Sequence, residues 1–204
     1  MRKVMVFMLW ALCIFSFIGC GSITTKKQNA MELSGDGKVK ASSYGSFDKD
    51  YYDAAELKRQ IQAAIDEYNA ENGDGCIELG KCSKGKDGVF LVISYASTED
   101  YAAFNGVICY AGQLDAAVGA GIVSPAVRIT SSDGRLKTTV GELNDKEGAN
   151  IKILAIEEPM VVDVPGEVLY VGEDVLIGKD GICTAGSESL GDVVLDEPCY
   201  ILYQ

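Results

Sequence analysis

From Asp53 onward, apolar side chains recur at Leu57, Ile61, Ile65 and Tyr68, with Ala64 beside them. That spacing draws a single stripe along one face of a helix. Asp53 with Glu56 resembles a capping box in which Asp replaces Ser or Thr, and Asn72-Gly73 supplies the stop. Lys58, Arg59, Gln62, Asp66 and Asn69 fall on the opposite face. A helix this polar on one side draws its stability from burying the other, so the stripe is expected to lie on a sheet as core.

The rest of the chain reads mainly as short strands. Cys76–Leu79 and Val89–Tyr95 flank Lys84-Gly85-Lys86-Asp87-Gly88, a hairpin pattern. Ser97-Thr98-Glu99-Asp100 opens a short helix that stops at Asn105-Gly106, and Val107–Tyr110 reads as a strand. Leu114 and Val118 mark a second short helix. Arg128–Ser131 and Leu136–Val140 flank Ser132-Asp133-Gly134-Arg135 as another hairpin. After the polar stretch 144–150 no helical period survives. Strand-like runs follow at 151–156, 160–164, 168–171, 175–177, 193–195 and 200–203. Gly166, Gly172 and Gly178 recur every six residues. Three turns are too few for a stacked β-helix, so these glycines are expected in the turns of a meander. The expected class is α+β: one long and two short helices on antiparallel sheet, then an all-β half sharing the same core.

The chain has 204 residues, 18 Lys+Arg against 30 Asp+Glu, and no His. Without imidazole there is no Ser-His-Asp triad, no Cys-His pair and no HExxH zinc site. A net charge of −12 argues against nucleic acid, which needs a basic footprint, and against attraction to anionic membrane surfaces.

Arg2 and Lys3 precede a mostly apolar run from Val4 to Ile18. The run is shorter than the ~20 residues of a spanning helix and fits an export signal. Its end, Phe17-Ile18-Gly19-Cys20, resembles the lipobox of bacterial prolipoproteins, with Phe17 where Leu is usual. In that class the Cys thiol receives a diacylglyceryl group before the signal is cut. The resemblance implies a signal peptide over 1–19, lipid attachment at Cys20, and a domain displayed outside the cell membrane. Residues 20–45, rich in Gly, Ser, Thr, Lys and Asn, are expected to form a flexible tether, and 46–204 the folded domain, with a helix-containing part (46–143) and an all-β part (151–204).

Other motifs have ordinary structural explanations. Gly80–Asp87 nearly matches the phosphate loop GxxxxGK[ST], but ends in Asp87 and runs into a strand. Asp48, Asp50 and Asp53 begin like a calcium loop, yet Asp53 and Arg59 stand where Gly and Glu are required. Asn72, Asp74 and Glu78 are a looser calcium candidate, more simply solvated loop groups. Glycosidases need two carboxyl groups at a set separation. Glu157 and Glu158 are neighbours that a strand would turn apart, and Glu99 and Asp100 suit a helix start. Apart from Cys13 and Cys20, five cysteines remain: Cys76, Cys82, Cys109, Cys183 and Cys199. Cys183 and Cys199 lie in or beside β runs and could meet across strands. Cys76 and Cys82 meet only if Gly80 folds the segment back, and Cys109 reads as a buried free thiol.

Tyr51-Tyr52-Asp53, Tyr95–Tyr101 with Phe104-Asn105-Gly106, and the stretch from Glu158-Pro159 to Tyr170 resemble a group of surface lipoproteins of Gram-positive anaerobes. That resemblance implies location and anchoring, and carries no activity and no site residues. The expectation is therefore a membrane-anchored, extracytoplasmic, non-catalytic protein that binds a protein or glycan ligand or builds envelope structure. No catalytic, cofactor or metal residues are assigned. The alternative is a small carboxylate-dependent hydrolase of envelope glycans or peptides.

Overall fold

A computed structural model describes residues 22–47, 53–86, 88–186 and 195–204. The lipobox Cys20, the signal 1–19 and the aspartates Asp48 and Asp50 lie outside the described residues. Among the described residues the class is α+β, with four helices and two mostly antiparallel sheets.

The first strands come where a tether was expected. A 3-10 turn at Ile23–Thr25 leads into β1 (Ala30–Leu33) and β2 (Val39–Ser46), which pair antiparallel around the turn at Ser34–Gly37. Ala30, Met31, Leu33, Val39 and Ala41 are buried. The linker-like composition belongs to the outward face of this hairpin, where Lys, Ser and Glu alternate with the apolar residues. The folded domain thus includes residues 22–47, which were expected to be tether up to residue 45.

Next comes α1 (Ala54–Asn72), capped by Asp53, whose carboxylate accepts from Ala55 N at 2.8 Å and Glu56 N at 3.3 Å. It packs on β3 (Ile77–Lys84), which pairs with β4 (Gly88–Tyr95). The Asn69 side chain clamps Ile77 at both ends: Nδ2 donates to Ile77 O, and Oδ1 accepts from Ile77 N, each at 2.9 Å. Only Ile65 of the apolar stripe is fully buried; Ile61 and Tyr68 lean against the core from the rim, and Leu57 stays half-exposed. Because β3 is the sheet's edge strand, it offers the helix less cover than a central strand would.

The expected short helices are α2 (Thr98–Asn105) and α3 (Leu114–Gly119), separated by β5 (Cys109–Gln113). The hairpin β6 (Arg128–Ser131) and β7 (Lys137–Thr139) forms around Asp133-Gly134. A further helix, α4 (Val140–Glu147), takes the place of the end of the expected strand 136–140 and part of the polar stretch after it. Thr139 starts it, its hydroxyl accepting from Glu142 N at 3.2 Å. Leu143 is buried, so two apolar residues three apart suffice to dock so short a helix.

From residue 152 the described chain is strand and turn: β8 (Lys152–Ile156), β9 (Met160–Asp163), β10 (Val168–Val171), β11 (Val175–Ile177), β12 (Cys183–Ala185) and β13 (Cys199–Tyr203). These strands do not form a separate half. The first sheet runs β11-β12-β9-β1-β2-β4-β3, with β9 parallel to β1, and the second runs β5-β8-β13-β10-β6-β7. The expected meander is corrected too: the chain crosses between sheets at Gly166 and again at Gly172, and only Gly178 sits in a hairpin, between β11 and β12.

The two sheets enclose one core, and α3 and α4 cover the far side of the second sheet. Leu154, Ile156, Ile201 and Tyr203 join Met31, Val39 and Ile93 in the inter-sheet core. Ile153 and Leu202 point the other way, to Leu114, Ala117 and Leu143. Period-2 alternation thus serves two cores, and the run Ile153–Ile156 is apolar throughout because both of its faces are buried.

Candidate functional site

The carboxylates singled out in the sequence lie near α2, β5 and the start of β9, where they bond to the framework. Asp100 accepts from Tyr68 Oη at 3.1 Å and from Ser97 Oγ at 2.7 Å, while Ser97 Oγ in turn accepts from Asp100 N at 3.0 Å. Glu157 accepts from Ile108 N at 2.9 Å. Glu158 accepts from the hydroxyl of Tyr101, which is buried in the inter-sheet core. Glu157 and Glu158 lie in the loop between β8 and β9, not in a strand, and each bonds its own partner.

Around Tyr101 lies an aromatic cluster. Its ring meets Tyr95 edge-on at 5.0 Å, and Phe104 bridges Tyr95 and Tyr68. Asn105 Nδ2 donates to Tyr101 O at 2.8 Å and to Tyr95 Oη at 3.3 Å. Burial pushes the Tyr95 hydroxyl up to about 12, and burial with the Glu158 charge pushes Tyr101 well above the usual phenol range. Both hydroxyls keep their protons near neutrality. The cluster pins α2 between the sheets.

The cysteines are equally quiet. All five described cysteines are free thiols. Cys183 and Cys199 sit in different sheets, so they are not cross-strand neighbours. Burial, ahead of nearby carboxylates, lifts Cys109 to about 12 and Cys183 to about 11, which suppresses thiolate. Cys76 leans on the end of α1, its Sγ 3.5 Å from Asn72 O.

Of the first calcium candidate, Asp48 and Asp50 lie outside the described residues. Asp53 serves as the α1 cap, Asn72 donates to Tyr68 O at 3.0 Å, and no group of three or more metal-ligating side chains occurs among the described residues. The near phosphate loop is a β3–β4 hairpin, with Gly85 N donating to Gly88 O at 2.7 Å.

Two features escaped sequence reasoning. A depression of about 330 Å³ opens where the segment before β6, the turn after β10 and the start of β13 meet. Arg128, Glu173, Asp174, Glu197 and Tyr200 line it, and Arg128 Nε lies 3.0 Å from Glu173. These residues are far apart in sequence and share no motif, so only the topology brings them together.

The second feature is a concentration of lysine on the β2-β4-β3 flank. Lys26, Lys27, Lys81, Lys84 and Lys86 are all exposed. The Lys27 ammonium stands 5.6 Å from the Tyr44 ring centre, Lys81 5.3 Å from Phe90, and Lys84 5.1 Å from Phe47. Spacing in sequence hid this patch, because residues 26–27 and 81–86 meet only through the hairpin pairing.

Compared with known family models, curated proteins and solved structures, the chain matches none.

Proposed function

We propose that this chain is an exported lipoprotein, anchored through a diacylglyceryl group on Cys20 at the extracytoplasmic face of the cell membrane, with a non-catalytic binding or structural role there. The reading rests on the basic–apolar–lipobox order of residues 2–20. One structural observation supports its non-catalytic part: Asp100, Glu157 and Glu158 are bonded into the framework, and the buried tyrosines and thiols hold their protons tightly. A diacyl chain contributes about 0.8 kcal/mol per buried CH₂, enough to hold the domain at the bilayer without a spanning helix.

Two measurements test the two halves. Intact-mass analysis of the N-terminal peptide should find a lipid-modified Cys20 as first residue, and Cys20→Ala should remain unprocessed; an unmodified Cys20 in a chain starting at Met1 would overturn the anchoring. Affinity capture of the protein from its native membranes, beside assays on envelope glycans and peptides, tests the role. A stoichiometric partner without turnover fits a binder, while hydrolysis lost on changing Glu173 or Glu197 would replace it with an enzyme.

A further inference from the structure

We propose that the β2-β4-β3 flank, with the strap of residues 22–29 laid over it, is a docking face for anionic lipid headgroups. The inference rests on the anchoring reading, since it is the lipid on Cys20 that would bring this face to a bilayer. Charge is sharply divided in the chain. Residues 22–47 and 76–95 carry seven lysines against four acids, whereas the rest of the chain after the signal sets nine basic residues against 26 acidic ones. The net charge of −12 conceals this division, and with it the argument against an anionic surface loses its force for this one flank.

The strap fixes where the chain meets the flank. Ser22 lies beside Lys40, Nζ to Oγ 3.5 Å, and Ser22 and Thr24 both bond the Glu32 carboxylate. Ile23 and Thr24 are buried, Gln28 O accepts from Ser42 Oγ at 3.0 Å, and Asn29 Oδ1 accepts from Tyr44 N at 3.1 Å. Lys40, Ser42 and Tyr44 share one face of β2, so the strap runs along that face. It ends with the Lys27 ammonium against the β3–β4 turn, where a Cβ on Gly85 would meet Nζ at 3.2 Å. Cys20 precedes Ser22 by two residues, a reach of about 7 Å at most. A lipid on Cys20 therefore holds this flank near the headgroups; no long leash lets the domain turn freely.

The side chains suit that position. The exposed Lys27 and Lys81 ammonium groups stand beside the rings of Tyr44 and Phe90, cross-strand partners on the face that the strap follows, an amphipathic pairing that matches the boundary between lipid and water. Each lysine near an anionic leaflet contributes about 1 kcal/mol, falling off within the screening length of about 10 Å. The acidic remainder is repelled by the same surface, so attraction and repulsion select one orientation.

The test uses the full chain purified from membranes and placed in vesicles of phosphatidylcholine, with or without phosphatidylglycerol. Lysine acetylation is read residue by residue by mass spectrometry. With phosphatidylglycerol, Lys26, Lys27, Lys81 and Lys86 should become about tenfold slower to label than with phosphatidylcholine alone. Lys137, Lys146, Lys152 and Lys179 should label equally on both, and high salt should abolish the difference. Equal labelling of the first group on the two vesicles, for a protein whose mass shows the lipid on Cys20, overturns the docking face and leaves the anchor standing. If the mass shows no lipid, the anchoring reading fails, and the same chain is sedimented with both vesicles at low salt. Pelleting with phosphatidylglycerol only, lost in Lys26→Gln/Lys27→Gln/Lys81→Gln/Lys86→Gln, still supports the face, and no pelleting overturns it. These four exposed positions can change without disturbing the core, and a circular dichroism spectrum checks that they have.

Discussion

At residue scale, two positions carry a disproportionate share of the fold. Gly166 has φ +124°, a conformation that L side chains rarely adopt, and a Cβ there would lie 2.1 Å from Gln204 O. The backbone of Glu167 and Gln204 exchanges two hydrogen bonds of 3.0 Å at the same place, so the crossing between sheets and the end of β13 are one joint. Gly166→Ala should cost about 2 kcal/mol or more, seen as a lower urea midpoint with an unchanged slope. Gly134, also at positive φ but with open space around it, lacks the clash and should cost less on the same change. Tyr101 makes the second case. Its hydroxyl bonds Glu158 while its ring packs on Tyr95, so Tyr101→Phe separates the two contributions. Glu158 is only half-buried and can turn to water, so losing the hydroxyl should cost about 1 kcal/mol. Tyr101→Ala, which also empties the ring's space, should cost roughly 3–5 kcal/mol. Near-equal losses in the two variants would mean that the hydroxyl, not the ring, holds α2 in place.

At element scale, α1 is a helix at the rim, and its stripe is graded by depth. Ile65 is 1 % exposed, whereas Leu57 one turn beyond Ile61 stays half-exposed. Ile65→Ala should therefore cost about 2–5 kcal/mol and Leu57→Ala under about 1 kcal/mol, measured by chemical denaturation. Equal costs would require the N-terminal turns of α1 to be covered as fully as its middle. The period of α1 is legible because it runs for just over five turns and starts and stops on strong signals; its depth is not, since periodicity names a face without saying how much sheet lies beneath it. Most strands from 151 onward were legible as β-branched runs, but their partners were not. Neither the parallel contact of β9 with β1 nor the sheet crossing at Gly172 leaves a local mark. The β1–β2 hairpin has a tether's composition because half its residues are outward-facing Ser, Lys and Glu, and α4 has the sequence of strand and loop because Thr139 and Val140 favour extended structure until Leu143 finds its core. Of the candidate sites, the carboxylates were legible as residues but not as spent hydrogen-bond acceptors. The lysine face was invisible because two distant segments compose it.

For the whole molecule, the absence of His and the depth of the thiols and phenols together set the response to pH. No side chain type present ordinarily titrates between about pH 6 and 8, so stability should be level there. Above that range the buried acids dominate. Cys109 is raised from its ordinary 9.0 to about 12 and Cys183 to about 11, while Tyr95 and Tyr203 are raised from 10.0 to about 12. In each case burial is the first cause: the folded chain refuses the anion. The unfolded chain releases these protons from about pH 9 and the folded chain only at higher pH, so between the two the folded state binds more protons. Stability is then fully present below the unfolded values and falls as pH rises, by up to about 1.4 kcal/mol per pH unit for each such group. Denaturant midpoints taken across this range should thus be flat near neutrality and drop from about pH 9, steepening near 10 as the tyrosines join. Cys109→Ala with Cys183→Ala removes two of the groups that titrate first, and should make the drop shallower from about pH 9 up to about 11, leaving the part that the tyrosines contribute above about pH 10. A profile that climbs between pH 9 and 11 would mean that these thiols ionise more readily inside the protein than outside it. An identical drop in the double variant would assign the alkaline loss to the tyrosines alone, against the deep burial that the two-sheet core gives Cys109 and Cys183.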